Sequence, residues 1–142
     1  MLKYNFHTHT TLCDGINTPE EIVLAAIDKR FYAIGFSGHI HTMFDESYCM
    51  SYKGTKDYIS EINRLKRVYA NKIKIYLGVE KDFFSNYDVT PFEYVIESVH
   101  YVKKSNRYIP VDKSAQVQVD AVNLNYGRDF LAFVEDYFFL VN

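Results

Sequence analysis

Tryptophan is absent from this 142-residue chain, and cysteine is nearly so, with only Cys13 and Cys49. Two thiols cannot build a disulfide framework, which argues for a reducing compartment. Neither sign of charge dominates. Sixteen basic and eighteen acidic side chains leave a net charge of −2, so nothing points to nucleic acid or to an anionic membrane. No apolar run approaches the roughly 20 residues of a membrane-crossing helix. The opening residues MLKYNF lack the charged-then-apolar pattern of a secretory signal. The expected location is therefore cytoplasmic. Linkers, internal repeats and low-complexity tracts are also missing. Histidine is scarce, with five in the chain.

What is present is a core. Hydrophobic residues make up 48% of the chain, enough for one domain of ordinary size. The aromatic content, 17% from Tyr and Phe alone, reads as core packing.

Local patterns alternate between strand and helix. LKYNF reads as a short strand followed by CDGIN, a turn. Thr18-Pro19-Glu20-Glu21 carries an N-cap, a first-position proline and a capping-box glutamate, so a helix should run to about Arg30. Tyr32–Ser37 predicts a second strand. Residues 40–54 read as a loop, and Tyr58, Ile59, Ile62 and Leu65 as the stripe of a second helix. Lys72–Glu80 alternates as a third strand and Tyr94–Val102 reads as a fourth. Ser114–Tyr126 fits a strand or a helix that Gly127 could terminate, and helix is favoured. Arg128–Val141 predicts a last helix. Such alternation argues for an α/β fold of parallel β-α units.

In parallel sheets the working groups collect at the carboxyl ends of strands. Here the first strand ends at His7 and His9, the second at His39 and the third at Glu80, while His100 lies near the end of the fourth. Two residues apart, His7 and His9 project from one face of an extended segment. Asp14 follows in the turn, near enough to fold back. Imidazoles and carboxylates are ligands for divalent ions, and six donors exceed what a single tetrahedral zinc needs. The candidate metal ligands are thus His7, His9, Asp14, His39, Glu80 and His100, with His41 as a candidate substrate contact. Such a set suits hydrolysis of a small-molecule phosphate ester.

The blocks HTHTTLCDG, GFSGH, LGVE and SVHY occur in that order, and FDESYCMSYKGT follows GFSGH. This resembles the PHP (polymerase and histidinol phosphatase) family, in its histidinol-phosphatase branch, over essentially the whole chain. The resemblance implies a distorted (β/α)7 barrel holding up to three divalent ions, as Zn, Mn or Fe. It implies that His7 and His9 bind the first ion, that Glu80 bridges to a second held by His100, and that Asp14 and His39 bind the third. It implies hydrolysis of L-histidinol phosphate to L-histidinol and phosphate, a step of histidine biosynthesis. His41 stands where the family has a small polar residue. The family supplies further His and Asp-x-His ligands downstream, and no histidine here lies beyond His100. Residues 1–142 are therefore expected to form a partial PHP domain, the N-terminal half of the barrel. A missing C-terminal half, or self-association through an open sheet edge, is the implied partner. The alternative is an inactive fragment or the metal-binding half of a split protein.

Overall fold

A computed structural model describes residues 1–142, which form two compact units. The first comprises Met1–Lys81 and Ser85–Ile96; the second comprises Asp82–Phe84 and Glu97–Asn142.

The first unit carries β1 (Tyr4–Asn5), α1 (Pro19–Asp28), β2 (Ala33–Phe36), α2 (Tyr52–Val68), β3 (Lys74–Asp82) and the start of β4 (Tyr94–Ser98). The strands run parallel in a curled, half-barrel sheet of order β1-β2-β3-β4. Tyr4 pairs with Ala33, and Ala33 through Phe36 pair with Lys74 through Leu77. All four residues of β2 are buried, as expected for a parallel strand covered on both faces.

The capping box forms as expected. The Thr18 side chain accepts from the Glu21 amide, and the Glu21 carboxylate accepts from the Thr18 amide at 2.8 Å. Val23 and Ala26 of α1 and Tyr58, Ile62 and Leu65 of α2 then face a core with Ile34, Phe36, Leu77 and Val79. Helix α2 starts six residues before Tyr58, capped by Ser51. Its first turns bury only Thr55, so no apolar period marks them in the sequence.

The expected fourth strand is broken. β4 stops at Ser98, and β5 (Tyr101–Lys104) pairs antiparallel with β6 (Arg107–Pro110). The turn between them places Ser105 and Asn106 at φ 48° and 63°. Positive φ at both central residues suits a tight hairpin. Without a glycine the turn carried no clear signal. The ambiguous segment resolves as α3 (Ala115–Asn125), capped by Ser114, and α4 (Phe130–Val141) is capped by Asp129. Gly127 follows α3 at φ 56°. The second unit has its own core of Val102, Ile109, Val122, Tyr126 and Phe133.

Glycine is required at two places in the sheet. A Cβ on Gly35 or Gly78 would enter the ring of Tyr94, which lies across β2 and β3. Gly78→Ala should therefore lower stability by about 1–3 kcal/mol, read as a reduced urea midpoint.

Candidate metal centre

β1 ends just before the histidines, and side-chain hydroxyls continue its attachment to β2. Thr8 N–H donates to Ser37 Oγ (3.1 Å), Thr8 Oγ1 donates to the Gly35 carbonyl (2.7 Å) and Ser37 N–H donates to the Thr8 carbonyl (3.0 Å). With Thr8 turned to β2, His7 and His9 share the opposite side. The chain then reverses: Cys13 and Gly15 N–H both donate to the Thr10 carbonyl, at 3.0 and 2.9 Å. A Cβ at Gly15 would strike the backbone of His9 and Thr10, so only glycine closes this turn. The closure brings Asp14 back to His9.

On the neighbouring strands, Glu80 N–H donates to the Gly38 carbonyl (3.2 Å), and Ile40 N–H donates to the Glu80 carbonyl (2.9 Å). This parallel bridge sets His39 beside Glu80.

Five of the six predicted donors meet in the first unit. His7 Nε2 and His9 Nε2 lie 3.1 Å apart, and both approach Glu80 Oε2, at 2.8 and 3.0 Å. The other nitrogen of His9, Nδ1, lies 2.8 Å from Asp14 Oδ1. Asp14 Oδ2 is 3.5 Å from His39 Nε2, and the rings of His9 and His39 meet edge to face at 4.4 Å. Two overlapping triads result, His7/His9/Glu80 and His9/Asp14/His39, with donor atoms within 4.8 Å of one another. His9 belongs to both, one ring nitrogen in each.

This donor set fits divalent ions. Two donors on a tetrahedral zinc are separated by about 3.3 Å, given Zn–N near 2.0 Å, and His7 Nε2, His9 Nε2 and Glu80 Oε2 lie at nearly that spacing from one another. Glu80 is also buried, its side chain only 6% exposed. A buried carboxylate demands a compensating positive charge.

The electrostatics agree. Hydrogen bonds to Cys13 and Glu80 raise His9 from its ordinary 6.5 to about 10, against the opposing effect of burial, and Asp14 adds to the rise. Burial pushes Asp14 upward, but hydrogen bonds to His9 and Cys13 and the nearby imidazole charges outweigh it and leave the carboxyl below its usual range. Burial likewise raises the Cys13 thiol, and the bonds from His9 and from backbone amides reverse this to a net lowering. The pocket thus holds positive charge tightly, as a proton when no ion is bound.

Two further candidates remain, His100 and His41. His100 belongs to the second unit, in the break between β4 and β5. Its amide donates to Asp82 Oδ2 (3.0 Å), and its Nδ1 lies 3.1 Å from Ser98 Oγ. Asp82, a buried carboxylate two residues past Glu80, escaped the sequence reading, although the strand period of two marks it. His41 is buried rather than in an open loop. Its ring packs on Tyr52 at 4.3 Å, its carbonyl accepts from Ser85 Oγ, and its buried Nδ1 faces Glu46 at 3.3 Å without a hydrogen bond.

Residues 4–137 match the family model described as PHP domain. The chain belongs to the PHP domain family. Over 107 residues it is 30% identical to the "Probable histidinol-phosphatase" of Deinococcus radiodurans, covering 68% of this chain and 41% of that protein. Its fold matches a crystal structure of a candidate histidinol phosphatase from Listeria monocytogenes with a TM-score of 0.69 at 22% identity, over 81% of this chain and 51% of that one. It also matches the histidinol phosphate phosphatase of Lactococcus lactis, crystallised with Zn, L-histidinol and phosphate, with a TM-score of 0.59 at 23% identity, over 86% and 54% of the two chains. The chain therefore spans about two-fifths to one-half of the PHP proteins it matches. No helix is long and apolar enough to cross a membrane.

His9 provides a test in the metal-free protein. Its folded value is raised from 6.5 to about 10, so its protonation stabilises the fold fully below about pH 6.5, and this contribution is lost as pH rises through about 10. Metal-free protein should lose stability between these limits, read as a falling urea midpoint. His9→Gln should flatten the decline.

Proposed function

We propose that this PHP chain carries the metal-binding half of a phosphomonoester hydrolase of the histidinol-phosphatase type, acting on L-histidinol phosphate to give L-histidinol and phosphate. The observation that carries the reading is the convergence of His7, His9 and Glu80 on one point, with His9 shared by a second triad. The relatives' names and the ligands of the Lactococcus lactis structure supply the substrate.

In this reading Glu80, His7 and His9 hold one divalent ion, and Asp14 and His39 hold another beside it. His100 is the further donor that the family resemblance implies. Bound ions supply an activated water at neutral pH and neutralise charge on the phosphoryl oxygens. The chain's own residues fix the geometry. Glu80 contributes the buried carboxylate of the pocket. The Thr10–Gly15 turn aims Asp14. His7, its side chain 54% exposed, opens the site to substrate. His41 is assigned at most a peripheral substrate contact, since its side chain is 7% exposed.

Metal content by elemental analysis, together with phosphate release from L-histidinol phosphate, tests the reading. Glu80→Gln should weaken Zn or Mn binding by at least about tenfold, because it removes the buried charge. His41→Ala should leave the affinity nearly unchanged. Equal losses in the two variants would contradict the assigned roles.

Residues 1–142 expressed alone should release phosphate well below the ordinary enzymatic rate of about 10 per second. Ions held by fewer protein donors sit less firmly, and a displacement of about 1 Å costs roughly a hundredfold. A rate near 10 per second from this chain would show that its own donors suffice.

A further inference from the structure

We infer that Tyr94 is a positioning residue for the metal centre, its phenol hydroxyl tying together the peptides that lead into His7 and His39. Its Oη lies 2.7 Å from the Phe6 carbonyl and 3.0 Å from the Phe36 carbonyl. Phe6 immediately precedes His7. Phe36 immediately precedes Ser37-Gly38-His39. A phenol has one proton, so this is a single donor shared between two acceptors on adjacent strand ends. The inference rests on the metal reading above and extends it to a residue that touches none of the donors.

The geometry sets this tyrosine apart from an ordinary core aromatic. Its ring crosses β2 and β3 at Gly35 and Gly78, where any Cβ would collide with it. Glycine inside central strands weakens them, yet both strands have one where the ring passes. The path ends at the two carbonyls. The Phe6 ring meets it edge to face at 6.0 Å, which steadies the same peptide. Burial holds the hydroxyl well above the usual tyrosine value, so it carries its proton at every working pH.

The hydroxyl acts where the donor geometry is decided. Past Phe6 and Phe36, the backbones of the two segments are joined through the Thr8–Ser37 bonds. Those bonds lie between the His7/His9 pair and His39. A donor bridging the preceding peptides limits the relative sliding of the two strand ends. Donor positions must be held to about 0.5 Å, and a phenylalanine of the same shape would fill the space without limiting that motion.

The test is Tyr94→Phe in the 142-residue chain, titrated with Zn2+ against a chromophoric chelator and with Co2+ by visible absorption. The expected result is a folded protein whose Zn2+ affinity falls about five- to tenfold, with a shifted Co2+ band. Placing 4-aminophenylalanine at position 94 restores a ring-borne donor and should recover both. A purely structural role would lower the melting temperature of the metal-free protein and leave affinity and band in place; that result overturns the inference. Should Tyr94→Phe not fold, the 4-aminophenylalanine protein decides: parental affinity supports the clamp, and tenfold weaker binding overturns it. If the parent chain binds neither ion, the metal reading itself falls, and the clamp with it.

Discussion

A single buried carboxylate governs the first unit. Glu80 sits on β3 with its side chain almost out of water, and an isolated charge there would cost several kcal/mol. Two imidazoles close on one of its oxygens, and a third lies 3.8 Å away. The sequence block around each histidine serves that convergence. The Thr8–Ser37 bonds set His7 and His9, the glycine turn sets Asp14 against His9, and the bridge between His39 and Glu80 joins the two strands. Proton and metal ion are alternative answers to the same demand for positive charge.

Packing beneath the site makes this arrangement stiff. β2 is buried throughout, and β3 presents Leu77, Val79 and Glu80 to the interior. Tyrosines hold the sheet from two elements: Tyr58 of α2 donates to the Gly78 carbonyl at 2.8 Å, and Tyr94 of β4 reaches the carbonyls of Phe6 and Phe36. The high aromatic content is thus more than bulk. These two rings are anchors whose hydroxyls satisfy backbone carbonyls of the sheet.

The second unit follows a different logic. Its hairpin is local, closed by a turn whose two central residues adopt positive φ. Lys104 pairs with Asp136 at 2.7 Å, and Tyr126 donates to the same carboxylate at 2.9 Å, joining β5, α4 and the end of α3. Around this polar contact lie Val102, Ile109, Val122 and Phe133.

The chain itself determined whatever depends on neighbours in sequence. The capping box at Thr18, the projection of His7 and His9 to one side, the glycine turn at Asp14 and the strands carrying Phe36 and Glu80 all follow from local dihedral preference and a period of two or 3.6. Strand-end chemistry then singled out His7, His9, His39, Glu80 and His100, and the turn added Asp14. What the sequence left open depends on distant contacts. Tyr94–Val102 alternates well enough for one strand, and only pairing with Arg107–Pro110 shows that it breaks at His100. His41 reads as loop, and only packing against Tyr52 shows it buried. His7 meets Glu80 across 73 residues, and Tyr94 meets the Phe6 carbonyl across 88. No periodicity encodes such meetings; they exist only once the parallel strands are in register, because that register brings residues so far apart in sequence within a hydrogen bond of each other.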